Sequence, residues 1–60
     1  MDYRDKIISE NIAFCLRFKH FLNEWETQFV SSVDRQEYPL TQKQFNRLQE
    51  VVTRLTKELA

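Results

Sequence analysis

The chain has 60 residues, 42% of them hydrophobic and 13% aromatic, and its nine Lys plus Arg balance nine Asp plus Glu. A chain this short forms one domain and buries only about 60% of the surface its unfolded form exposes; with one cysteine and one histidine, neither a disulfide nor an all-protein metal clamp can make up the deficit, which leaves oligomerisation. Zero formal net charge excludes a long-range field toward nucleic acid or acidic lipid, and the absence of glycine excludes a Gly-rich phosphate loop.

The N-terminal stretch MDYRDKIISENI carries acids and no apolar h-region, so it does not read as a signal peptide. The longest apolar run, Ile12 to Leu16, falls far short of the roughly twenty residues of a membrane span. With Cys15 unpaired, these features predict a soluble protein of the reducing cytoplasm.

The periodicity predicts a long first helix from Asp2 or Tyr3, with Asp2 as candidate cap, to about Ser32. At about 100° per residue, Ile7, Phe14, Phe18, Phe21, Trp25 and Phe29 share one face. Ile8, Ile12, Cys15, Leu22, Val30 and Val33 continue that face sideways, so the apolar arc covers about half the circumference. A turn is expected over about 33–40, because Pro39 cannot sit inside a helix and pushes Tyr38 out of the helical region.

A second helix over about 41–59 announces itself with Thr41 as N-cap, Gln44 as its capping-box partner and Leu40 with Phe45 as a hydrophobic staple. Phe45, Leu48, Val52, Leu55 and Leu59 recur at spacings of three and four, with Val51 broadening the stripe. Lys43, Arg47, Arg54 and Lys57 lie opposite. Glu50 with Arg54, and Arg54 with Glu58, are four-residue pairs that support such a helix by a few tenths of a kcal/mol each.

The predicted fold is therefore all-α: a two-helix hairpin forming a single domain over 1–60. About thirty residues make a rod of roughly 45 Å, and the second helix only roughly 27 Å. Folded back, the second helix covers the C-terminal part of the first, around a core of Phe18, Phe21, Trp25, Phe29, Phe45, Leu48, Val52 and Leu55. Ile7, Ile8, Ile12, Phe14 and Cys15 are expected to lie bare and to meet another chain. The economical arrangement is a homodimer in which two hairpins form a four-helix bundle. Asn11 falls within this face, either as a buried amide that fixes register or as a solvated residue beyond the bundle end.

Motifs that bear chemistry are few. Cys15 and His20 stand five helical steps apart on different faces, so no nucleophilic dyad forms. His20 and Glu24 offer two ligands where a closed metal site needs about four. The aromatics and basic residues interleaved over 14–25 look like a single-strand binder, but in a helix the aromatics share one side and Arg17 and His20 point away from it. A helix-turn-helix would need another helix after the second.

No catalytic residue, metal, cofactor or small-molecule substrate is assigned, and the chain is read as a non-enzyme. The first functional expectation is a homodimeric interaction protein that binds and modulates a larger protein through Ile7, Ile8, Asn11, Ile12, Phe14 and Cys15. One alternative is a nucleic-acid-binding accessory that uses Lys43, Arg47, Arg54 and Lys57. The other is a structural subunit of a hetero-complex.

The arrangement Trp25-Glu26-x-x-Phe29 followed by Leu40-Thr41-x-Lys43-Gln44-x-x-x-Leu48 resembles a helical-hairpin element of small phage or prophage proteins and of segments of replication and helicase-type proteins. The likeness covers about residues 22–55. It implies a phage or mobile-element setting and a partner in host or replication machinery, and no site residue is carried over from it.

Overall fold

In the computed structural model, which describes residues 6–60, the chain forms three α-helices where the periodicity predicts two. They are α1 (Lys6–Arg17), α2 (Glu24–Arg35) and α3 (Gln42–Leu59), with a 3-10 turn at Lys19–Phe21. No strand occurs among the described residues, so the all-α expectation holds while the two-helix hairpin does not. Asp2 and Tyr3, the expected start and cap of the first helix, lie outside the described residues. No helix among the described residues is long and apolar enough to cross a membrane.

The predicted first helix breaks at Leu22 and Asn23. Beyond Arg17 the backbone tightens: Phe18 N–H still donates to the Phe14 carbonyl four residues back, but Phe21 N–H donates to Phe18 and Leu22 N–H to Lys19, three back. Leu22 and Asn23 are then extended. Asn23 opens α2 with a complete capping box, its Oδ1 accepting from Glu26 N–H at 2.8 Å while Glu26 Oε1 accepts from Asn23 N–H at 3.0 Å. Two of the donors that any helix start leaves unsatisfied are thereby paired. The sequence signal Asn23-x-x-Glu26 has the same form as the one that marks α3.

At α3 the expected capping box is present. Thr41 Oγ1 accepts from Gln44 N–H at 3.1 Å, and Gln44 Oε1 accepts from Thr41 N–H at 3.0 Å. The Gln44 amide also pairs reciprocally with Gln36 at 2.8 and 3.1 Å, and Gln36 Nε2 donates to the carbonyls of Tyr38 and Pro39. One pair of glutamines thus braces the connection through Pro39, which spans 36–41 and so starts three residues later than expected.

A 45 Å rod has no place in a molecule whose longest extent is 34 Å. Two twelve-residue helices, each about 18 Å long, replace it, and α1 packs most extensively against α3. The core consists of Ile12, Cys15, Val30, Val33, Leu48, Val51 and Leu55. Leu48 and Leu55 were expected there. Phe18, Phe29 and Val52 are half-buried and pack against it, Phe45 is half-buried, and Phe21 and Trp25 are exposed.

The apolar arc on α1 and α2 was therefore centred on the wrong flank. Its aliphatic side, Ile8, Ile12 and Cys15 on α1 with Val30 and Val33 on α2, turns inward, and its aromatic side becomes the rim. Short and β-branched side chains allow three helices to approach closely; a row of phenyl and indole rings would hold them apart.

Ile12 is buried within its own chain, so Ile12→Asp should unfold the protein rather than dissociate a complex. Losing a buried aliphatic side chain costs about 2–5 kcal/mol before the added carboxylate is counted, against about 3–9 kcal/mol of total stability for a domain this size. Far-UV circular dichroism at 25 °C should show most helix lost and no cooperative melt. Ile7→Asp, at an exposed position, should still fold and melt cooperatively.

Candidate functional site

Two clusters stand out: an ion-paired junction and an aromatic surface beside it. At the junction Glu26 is only 7% exposed, and the Arg54 guanidinium reaches it from α3. Arg54 Nε donates to Glu26 Oε2 at 2.8 Å, and Arg54 Nη2 donates to Glu26 Oε1 and to the Phe21 carbonyl, the latter at 2.7 Å. One side chain therefore ties α3 both to the turn that ends the α1 segment and to the first turn of α2.

The hydrogen bonds from Arg54 hold the Glu26 carboxyl below the usual carboxylate range. They outweigh burial, which raises it, and the Asn23 N–H and the Arg54 charge lower it further. Reciprocally, its hydrogen bonds to Glu26 raise the pKa of Arg54. The carboxylate has a second effect on Cys15, whose thiol is pushed up to about 11, first by burial and then by Glu26.

The other cluster is carried by Trp25 and Phe29, whose rings stack with centroids 5.3 Å apart and planes 4° from parallel. The Arg47 guanidinium lies over the indole, 5.6 Å from its centroid. These residues, with Thr41, Lys43 and Gln44, line a surface hollow of about 290 Å³. Trp25 is 53% exposed, and among the described residues its indole N–H has no acceptor. A second aromatic pair, Phe14 and Phe18, meets edge to face at 5.2 Å with Arg17 over Phe18.

The fold separates the residues expected at a chain-to-chain interface. Ile7 is 64% exposed, and Ile8 and Phe14 are half-buried. Ile12 and Cys15 are sealed in the core at 2% and 0% exposure, because α3 packs over the part of α1 expected to lie bare. Asn11 is half-buried; its amide nitrogen is covered within the chain and has no hydrogen-bond partner among the described residues.

The basic ridge is likewise divided. Arg54 is committed to Glu26, with Glu58 a further 3.9 Å neighbour. Arg47 meets Glu50 at 3.5 Å and covers Trp25, leaving Lys43 and Lys57 exposed near opposite ends of α3. The long-range Glu26–Arg54 pair was invisible to sequence reasoning, which supplied Arg54 with local partners. His20 is exposed on the 3-10 turn while Cys15 is buried, and no group of three His, Cys, Asp or Glu that could hold a metal occurs among the described residues.

Comparison with protein-family models, curated proteins and solved structures finds no match for this chain. The likeness to phage-type helical hairpins rests on the sequence element alone.

Two measurements test the junction. Because the folded pKa of Glu26 lies below its ordinary 4.5, its stabilisation is full above that pH and is lost as pH falls through the folded value. Glu26→Gln should cost about 1–3 kcal/mol at pH 7, a range discounted because Arg54 remains partly in water. Its melting temperature should also fall less steeply than that of the wild type between pH 5 and 3. Parallel slopes for the two proteins would remove the pair as a pH-dependent element.

The second measurement concerns Cys15. Moving the thiol from 9.0 to about 11 lowers the thiolate fraction at pH 8 about 100-fold, and burial removes access as well. Iodoacetamide should modify the native protein at least about 100-fold more slowly than the urea-unfolded chain. Mass spectrometry of quenched time points gives both rates.

Proposed function

We propose that this chain is a non-enzymatic protein–protein interaction module that pairs with a second copy along the outer edge of α1 and engages a larger protein with its remaining surface. The observation that carries this reading is the apolar flank left in water. Ile7, Phe21 and Trp25 are 64%, 46% and 53% exposed, while Phe14, Phe18 and Phe29 are only half-buried. Large exposed aromatics on a small domain mark contact surfaces, and Trp and Arg are the side chains most enriched where binding energy concentrates.

The self-pairing surface is narrower than the sequence suggests. It comprises Ile7, with Ile8 and Phe14 beside it, and excludes the buried Ile12 and Cys15. Zero net charge removes the repulsion between copies that a charged surface would impose, and a seven-residue core gains from any further apolar burial. The sealed, protonated Cys15 thiol is unsuited to nucleophilic work, which favours a binding role over catalysis. Nucleic-acid binding by the basic ridge is the weaker alternative, since Arg54, which stands between Arg47 and Lys57, is held by Glu26.

Sedimentation across a wide concentration range tests self-pairing. The wild type should move from monomer to dimer, and Ile7→Asp should raise the dissociation constant at least about tenfold, equivalent to about 1.4 kcal/mol, while melting like the wild type at concentrations where both are monomeric. A wild-type monomer at every concentration, or a dimer indifferent to Ile7→Asp, would remove α1 as the self-interface.

A further inference from the structure

The hollow at the α2–α3 crossing combines three features of recognition in one place. It has an exposed aromatic platform in Trp25 and Phe29, a guanidinium over that platform, and Lys43 at its rim. We propose that it docks an acidic peptide segment of a partner protein, with an apolar side chain lodged against Trp25 and Phe29 and flanking carboxylates on Arg47 and Lys43. This names the chemistry of the larger partner and so rests on the interaction-module reading.

Charge complementarity selects this occupant. Arg47 already donates to a carboxylate of its own chain, Glu50, at 3.5 Å, with both side chains more than half exposed. Such an open ion pair contributes little, so an incoming carboxylate can replace Glu50 at small cost and gain a bidentate contact. Lys43 is exposed in the first turn of α3, where the helix dipole adds to its positive potential. The indole N–H supplies one more donor at the rim. The acids nearest in sequence to these residues are Glu24 and Glu26, on either side of Trp25, and Glu50; Glu26 is taken by Arg54, and none of the three forms a hydrogen bond to Lys43 among the described residues.

Single-stranded nucleic acid fits less well. Beyond the hollow, the next cation along the ridge, Arg54, is held by Glu26, so no continuous basic track leads away for a phosphate backbone.

Trp25 is the only tryptophan, so its emission reports occupancy directly. A random-peptide display library panned over the immobilised full chain should enrich sequences rich in Asp and Glu around a Phe, Trp or Leu. Synthetic versions should shift Trp25 emission on titration and weaken as salt rises. The variant carrying both Lys43→Glu and Arg47→Glu should bind them at least about tenfold more weakly; circular dichroism confirms that its fold is intact.

Recovery of no peptides, enrichment without an acidic excess, or equal binding by the charge-reversed variant overturns the proposal. So does oligothymidylate if it perturbs Trp25 more strongly than any recovered peptide, an outcome that would assign the surface to nucleic acid. Ile7→Asp should bind the peptides like the wild type, so failure of self-pairing and failure of peptide docking are read separately.

Discussion

One carboxylate joins the start of α2 to α3. Glu26 closes the capping box that lets α2 begin, and it accepts two hydrogen bonds from Arg54 of α3. The same guanidinium caps the Phe21 carbonyl at the end of the 3-10 turn. A break in an otherwise helical segment leaves backbone donors and acceptors without partners on both sides, and these contacts satisfy groups on both sides from one point. The charge is nearly buried, a costly placement unless it is paired and hydrogen-bonded, and Glu26 meets both conditions.

The break escapes a periodicity argument for a geometric reason. Ile8 and Glu26 are eighteen residues apart, which is five whole turns at 3.6 residues per turn. Ile12 and Val30, and Cys15 and Val33, share the same separation. The apolar phase therefore runs through Leu22 and Asn23 as though the helix were continuous, and the hydrophobic pattern cannot reveal that it stops. Only Asn23-x-x-Glu26 carries that information, in the same form as Thr41-x-x-Gln44. At Thr41 a proline two residues earlier interrupts the helical pattern as well, whereas no proline precedes Asn23.

The site was legible in parts. Lys43 and Arg47 stand out from sequence as exposed cations of α3, and both line the hollow. Trp25 and Phe29 were assigned to the core because the arc was centred on its largest side chains. Transfer free energy alone favours that choice, since aromatics bury the most area. Packing reverses it, because three short helices around a seven-residue core must come close and β-branched aliphatics permit this. Arg54 shows the opposite limit: its local partners looked sufficient, and nothing in one chain's sequence signals a partner 28 residues away.

The junction and the aromatic surface are coupled through adjacent residues. Trp25 and Glu26 are neighbours in the first turn of α2, so their side chains diverge by about 100° around the helix. With Glu26 fixed inward by Asn23 and Arg54, Trp25 is directed toward the rim, where Phe29 one turn later and Arg47 from α3 hold its ring. Turning the indole into the core would carry the carboxylate away from its guanidinium, exchanging a paired charge for an unpaired one. The exposure of Trp25 thus follows from the contact that places the helices. A ring already held by the fold loses less freedom when it meets a partner, which is how preorganisation raises affinity.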